Sequence, residues 1–269
     1  MIKHAGHAKQ VEHAKQAEQA IILAGGLGTR LRTVIKDVPK PMADINGKPF
    51  LEYLLNFVSA QGVKEVIISC GYKHDVIKNY FKDRFGDLKI FYSIENEPLG
   101  TGGAIRKALE FESGCAKNRE DILILNGDTF FNISLKELYN FHKTKNSDLT
   151  LALKTLKNFD RYGAVKIDRN NKITGFEEKK PQKEACINGG IYLLSADLTD
   201  LLLSSKLNLP AVFSFEKDFL EVCYNYETAE KKSAEKKFGF YGLPFDENSY
   251  FIDIGIPSDY ELAKKELKS

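Results

Sequence analysis

Between residues 20 and 125, short apolar runs alternate with amphipathic segments, and this alternation constrains the fold more than any other feature of the chain. Strands are predicted at 20–23, 65–69, 89–92 and 122–125, with helices at 50–60, 75–81 and 104–111 between them. Phe50, Leu54, Phe57 and Val58 share one face of the first helix at the helical period, so that face is core. Strands joined through helices pair in parallel, and the rhythm predicts an α/β fold with a mostly parallel sheet covered on both faces. Ser134 and Glu137 form a capping box for a further helix. After Ser147 strands follow one another at 149–154, 164–167, 173–178 and 187–194, with a turn at Asn170-Asn171, so a smaller β-rich subregion is expected. Residues 227–237 read as a solvated charged helix. Strands return at 238–241 and 250–254, before a last helix opened by Ser258 and Glu261.

The chain has 269 residues, 43% of them hydrophobic, enough for a substantial core. Residues 1–18 stand apart as a polar, repeat-like extension in which His7–Glu12 is nearly repeated as His13–Glu18, leaving one domain at 19–269 with two subregions. A formal charge of +2 argues against nucleic acid or a membrane surface as partner, so any phosphate binding is local. Cys70, Cys115, Cys186 and Cys223 lie far apart without zinc spacing or a disulfide framework, and no apolar run has the length of a membrane span or leader. These features are expected of a cytoplasmic protein.

The stretch 23–42 carries the first chemistry. Ile21, Ile22 and Leu23 form a buried strand that runs into Gly25, Gly26 and Gly28, with Thr29 and Arg30 following and Lys40 held between Pro39 and Pro41. Glycines let successive amides approach phosphate oxygens, and Arg30 and Lys40 add charge. A Walker loop would need Gly-Lys-Ser/Thr where the chain has Thr29-Arg30-Leu31, and Gly26-Leu27-Gly28 lacks the third glycine of a dinucleotide loop. A second small-residue segment, Gly100-Thr101-Gly102-Gly103, leads from a strand into a helix, and Glu97 before it is a candidate partner for the N1 and exocyclic amine of guanine. Asp128 follows an apolar strand at the edge where open α/β sheets bind ligands, and Asp253 follows another. Two such carboxylates are a sufficient protein contribution to a Mg²⁺ site.

In order along the chain, Leu23-Ala24-Gly25-Gly26-Leu27-Gly28-Thr29-Arg30-Leu31, Pro39-Lys40-Pro41-Met42, Leu99–Ile105, Asn126-Gly127-Asp128, Phe176-Glu177-Glu178-Lys179, Asn188-Gly189-Gly190 and Asp253-Ile254-Gly255 resemble the motifs of the sugar-1-phosphate nucleotidylyltransferases. The resemblance implies a Rossmann-like three-layer nucleotidyltransferase fold whose β-rich subregion binds the acceptor. It also implies a core without the C-terminal repeat domain that many relatives carry. By the same likeness, Leu23, Gly25, Gly26, Gly28, Thr29, Glu97, Gly100, Thr101 and Gly102 contact the nucleotide. Gly163, Glu177, Lys179 and Asn188 contact the sugar phosphate, and Glu177 is preferred to Glu178 because alternate strand residues share a face with Lys179. Arg30, Lys40 and Asp128 are the implied catalytic residues, with Mg²⁺ on Asp128 and Asp253.

Leu153-Lys154, Asn158–Gly163 and Ser214-Phe215-Glu216-Lys217 are most similar to enzymes that guanylylate D-glycero-α-D-manno-heptose 1-phosphate. The implied reaction joins GMP from GTP to that sugar phosphate and releases pyrophosphate, in the biosynthesis of surface polysaccharide such as capsule or lipopolysaccharide. Mannose 1-phosphate guanylylation, glucose 1-phosphate thymidylylation or uridylylation, and a non-catalytic nucleotide-sugar-binding regulatory subunit are the alternatives. Homo-oligomerisation is left open. Because a sugar phosphate is an anion at neutral pH, its attack on the α-phosphorus needs alignment and charge neutralisation rather than a general base.

Overall fold

The computed structural model describes residues 17–26, 28, 30–31, 34–35, 37–111, 120–223 and 238–267. Residues 1–16 of the repeat-like extension, Thr29, Cys115 and the charged segment 227–237 therefore lie outside the described residues.

The expected strands and helices of the first half form with boundaries close to those predicted: β1 (Gln19–Leu23), β4 (Glu65–Cys70), β6 (Leu88–Ile94) and β7 (Ile122–Asn126), with α1 (Phe50–Ala60), α2 (His74–Phe81) and α3 (Gly100–Glu110) between them. Two short strands, β2 (Asp44–Ile45) and β3 (Lys48–Pro49), pair before α1, and β5 (Arg84–Phe85) pairs with β6. Strand β1 is parallel to both β4 and β7, and β4 to β6, so the centre of the sheet is parallel.

The β-rich half joins the same sheet: β12 (Gln182–Leu194) runs antiparallel to β7, and β9 (Leu149–Phe159), β10 (Ala164–Ile167), β11 (Ile173–Glu177) and β13 (Phe240–Phe245) extend from it. Strands β9 and β12 are several residues longer than their apolar patterns, because their outer ends pair with each other, Gln182 opposite Phe159, where neither needs to be buried. The turn between β10 and β11 is tied by Asp168, whose Oδ1 accepts from the amides of Asn170 (2.8 Å) and Lys172 (2.9 Å), while Asn171 takes φ 65°.

Alternate strand residues feed two cores. Ile22, Val66, Ile68, Leu123 and Leu125 pack with α1, α2, α4 (Leu135–Thr144) and the C-terminal helix Pro257–Glu266; Ile21, Ile67 and Ile124 pack with α3 and α5 (Ala196–Leu203). Helices thus cover both faces, as the three-layer reading expects.

Two capping expectations have different outcomes. Ser134 Oγ accepts from the Glu137 amide at 3.1 Å and caps α4. The C-terminal helix instead begins at Pro257, with Ile256 as its uncapped N-cap residue, and Ser258 donates only to Asp259 at 3.4 Å. Proline is preorganised for the first helical position and brings no amide to cap, so the helix starts one residue before the expected serine.

His142 on α4 is 1% exposed, with Nδ1 2.8 Å from Thr150 Oγ1. Burial pushes its imidazole down to about 4, against the opposing pull of Asp121. The unfolded chain therefore takes up the proton first: the stability that neutral His142 supports is intact above its usual value of 6.5 and is lost as pH falls to about 4. The loss is expected to be on the order of 3 kcal/mol. Urea unfolding across this window should show a pH dependence smaller by that amount in His142→Leu.

Candidate active site

The site lies where β1 sits between β4 on one side and β7 on the other, the point at which strand order reverses and an open α/β sheet leaves a crevice at its C-terminal edge. The exit of β1 is locked to both neighbours: Ala24 donates to the Ser69 carbonyl of β4 at 2.7 Å, and Gly127 after β7 donates to the Leu23 carbonyl at 2.9 Å. A Cβ at position 127 would stand 2.5 Å from that carbonyl, so glycine is what lets the second exit lie against the first and carry Asp128 to the crevice. A cavity of about 300 Å³ results, lined by Leu23, Gly25, Gly26, Lys40, Glu95, Gly100, Thr101, Asn126, Asp128 and Glu216 among others.

Lys40 begins a single 3-10 turn, Lys40–Met42, in which Pro41 and Met42 are buried anchors. Its side chain is 10% exposed, and its ammonium lies 2.6 Å from Asp128 Oδ2 and 3.7 Å from Asp253 Oδ1. Strands β8 (Thr129–Phe131) and β14 (Phe251–Asp253) pair antiparallel with Asp253 opposite Thr129, and Ile254 donates to the Asp128 carbonyl at 3.0 Å. This small ladder brings the carboxylates together. Burial, and then repulsion from Asp128, raises the Asp253 pKa; the Lys40 charge and the Gly255 amide, 2.7 Å from Asp253 Oδ1, oppose the rise.

Two carboxylates bracketing one cation are a set of hard oxygen donors suited to Mg²⁺, which takes its remaining ligands from phosphate and water. Among the described residues no cluster of three or more histidine, cysteine or acidic side chains is present, so a metal here would rest on this pair.

Glu95 is a buried acid on the cavity wall, 8% exposed. Its Oε1 accepts from Ser69 Oγ and its Oε2 from the Leu99 amide, both at 3.1 Å. Gly25 packs on this carboxylate so closely that a Cβ would meet Oε1 at 2.4 Å. Glu97 is exposed and does not line the cavity, since it lies beyond the end of β6 where the chain turns outward. Glu95 was legible only as the polar residue that follows the buried alternation of β6.

In the second glycine segment, Gly100 and Thr101 line the cavity, whereas Gly102 is buried against Phe213. The Gly102 amide donates to the Phe213 carbonyl at 3.0 Å, so this donor of the helix N-terminus serves packing rather than the crevice. Gly28 takes φ 57° beside the Lys40 stem, and Arg30 is exposed.

On β12, Asn188 Nδ2 donates to the Tyr192 hydroxyl at 2.8 Å, and its Oδ1 accepts from the Gly190 amide at 2.9 Å. Gly163 passes under β11, where a Cβ would lie 2.7 Å from the Glu177 carbonyl. The Glu177 carboxylate is held by Lys166 at 2.5 Å and Lys180 at 3.1 Å, and the Lys166 contact leads in lowering its pKa to about 2. Lys179 is exposed. β11 ends at Glu177, so strand alternation does not extend to Lys179, and it is Lys180 that meets the Glu177 carboxylate. Arg161 pairs with Asp259 of the C-terminal helix at 2.9 Å.

Glu216, absent from the expected site, lines the cavity from a π-helical turn, Phe215–Leu220, and accepts from Thr101, Ser214 and Tyr192. Its only signal in sequence was the likeness of the segment 214–217.

The profile of the family described as nucleotidyl transferase matches residues 19–269. The chain is 50% identical over 243 residues to D-glycero-alpha-D-manno-heptose 1-phosphate guanylyltransferase of Campylobacter jejuni, covering 90% of this chain and 96% of that protein. It is 47% identical to the protein of the same description from Aneurinibacillus thermoaerophilus, with coverage of 93% and 98%. Among solved structures it resembles HddC from Yersinia pseudotuberculosis complexed with GMP-PN, with a TM-score of 0.74 at 35% identity, covering 93% of this chain and 100% of that one.

Gly102→Ala tests the packing assignment. The new methyl would overlap the buried Phe213 ring at 2.1 Å, and a loss of about 1–3 kcal/mol in urea unfolding is expected.

Proposed function

Because the chain belongs to the nucleotidyl transferase family, we propose that it transfers GMP from GTP to D-glycero-α-D-manno-heptose 1-phosphate, giving the GDP-sugar and pyrophosphate. The observation that carries this reading is the cation held between two carboxylates at the sheet's switch point, Lys40 between Asp128 and Asp253. The choice of base and sugar is supported by the two guanylyltransferases at 50% and 47% identity.

In this reading Glu95 accepts hydrogen bonds from the N1 and exocyclic amine of guanine, a pattern that adenine, with a bare N1, does not offer. Gly25, Gly26, Gly28 and Thr29 lie along the triphosphate with Leu23 beneath, Gly100 and Thr101 meet the nucleoside, and Arg30 holds the departing pyrophosphate. An oxygen of the sugar phosphate attacks the α-phosphorus in line as the bond to pyrophosphate breaks. Lys40 stays with the charge that builds on the α-phosphate. Asp128 and Asp253 would hold Mg²⁺, which when bound supplies neutralisation shared by the α-phosphate and the incoming phosphate. Asn188 and Gly163 contact the sugar, and Glu177 and Lys179 belong to the acceptor side, Lys179 reaching the phosphate from an exposed position.

The reading places catalysis in the cytoplasm and its product in capsule or lipopolysaccharide assembly. No helix among the described residues is long and apolar enough to cross a membrane.

Pyrophosphate release measured for five nucleoside triphosphates against heptose, mannose and glucose 1-phosphates tests it: GTP with the heptose should give the highest kcat/KM. Lys40→Ala should lower kcat/KM by roughly 10²–10³, the effect of removing one oriented charge-stabilising donor. Near-normal turnover in that variant would refute the role. Glu95→Gln should narrow the preference for GTP over ATP by about 10-fold or more, the usual worth of hydrogen bonds to a charged group.

A further inference from the structure

Glu216 joins the two halves of the site through a hydrogen-bonded chain with a fixed direction. Its Oε2 accepts from Thr101 Oγ1 at 2.9 Å and Ser214 Oγ at 3.1 Å, and its Oε1 accepts from the Tyr192 hydroxyl at 2.8 Å. Thr101 stands at the start of α3 on the cavity wall, with its hydroxyl accepting from the Phe215 amide at 2.9 Å. Tyr192 is fully buried in β12, and burial together with the neighbouring Glu216 charge holds its phenol protonated, with its pKa well above the usual value. A phenol has one proton to give. Tyr192 gives it to Glu216, so the side-chain amide of Asn188 must approach the same oxygen as a donor. That leaves Asn188 Oδ1 turned to the Gly190 amide.

A carboxylate is acceptor-only, and this one receives all three hydroxyls. It therefore sets the sense of every bond from the nucleotide-side Thr101 to the acceptor-side Asn188. A ligand that pulls on the Thr101 hydroxyl changes what Glu216 receives, and through Tyr192 it changes how firmly Asn188 is oriented. Connected networks of this kind in a low-dielectric site respond together rather than pair by pair.

We infer that Glu216 is a positioning residue that couples occupancy of the nucleotide half at Thr101 to acceptor binding at Asn188, so that bound nucleotide tightens the grip on the sugar phosphate. This rests on the proposed guanylyltransferase reading. The coupling is reciprocal: the sugar phosphate tightens nucleotide binding by the same factor. Glu216→Gln separates the two arms. In that variant the side-chain amide oxygen would still accept from Tyr192, whereas the NH₂ would face the Thr101 hydroxyl, which needs an acceptor.

Calorimetric titration tests this with heptose 1-phosphate, with and without saturating guanosine 5′-(α,β-methylene)triphosphate, whose α,β bond cannot be cleaved. In the unaltered protein the analogue should tighten sugar-phosphate binding by about 10-fold, within the usual range of coupling between sites. In Glu216→Gln the factor should fall towards one while sugar-phosphate affinity in the absence of nucleotide changes little. In Tyr192→Phe both the factor and that affinity should fall. In turnover, Glu216→Gln should raise the acceptor KM more than it lowers kcat, an outcome that lower stability alone would not produce. Coupling retained in Glu216→Gln, or absent from the unaltered protein, overturns the inference while leaving the guanylyltransferase reading standing. Absence of pyrophosphate release from GTP and the heptose phosphate in the unaltered protein overturns both.

Discussion

The arrangement that the rest of the site depends on is a single ammonium between two carboxylates. Asp128 and Asp253 repel one another at a half-buried place, and desolvation together with that repulsion raises the Asp253 pKa. A cation beside the pair offsets both effects. Lys40 supplies that cation at 2.6 and 3.7 Å, and each of the three residues is delivered by a different device. Buried Pro41 and Met42 seat the turn of Lys40, the glycine at 127 lets the exit of β7 lie on that of β1, and the β8–β14 ladder sets Asp253 opposite Thr129. Under the proposed function the same two carboxylates would hold Mg²⁺ beside phosphate oxygen, with Lys40 as the neighbouring charge.

Around this centre the two halves of the site are built by different kinds of sheet. Parallel strands end together at one edge, so the β1 and β7 exits and the α3 start converge there and form a pocket of backbone and small residues. The antiparallel half offers strand faces instead, and Tyr192 and Asn188 reach inward from β12, which pairs directly with β7. Glu216 stands at the seam. An acceptor-only side chain between hydroxyls from both halves gives the seam a polarity that apolar packing would not provide.

Much of the frame was legible because it rests on local periodicity. The helix at Phe50–Ala60 matches its sequence pattern residue for residue, and Ile21 and Ile22 divide between the two cores as alternation requires. Legibility failed where a local rule met a boundary. Alternation would put Glu177 and Lys179 on one face, but β11 stops at Glu177, and Lys180 comes to the carboxylate instead. The pair Gly102-Gly103 reads equally as ligand loop or close packing, and only the position of Phe213 decides for packing at Gly102. Glu97 and Glu95 are alike as residues; one faces solvent and the other is closed in by Ser69, Gly25 and the Leu99 amide.

By itself the sequence determined the α/β class and the order along the chain of the glycine loop, Lys40, Asp128 and Asp253, since period, turn residues and motif order are properties of neighbouring residues. Tertiary structure alone decided which carboxylate is buried beside the cavity, that Lys40 meets an aspartate 88 residues away, and that Glu216 stands 115 residues from Thr101 yet within hydrogen-bonding distance. Contacts over such separations are set by how strands pair and helices pack, and burial, not residue type, fixes which charges must find one another.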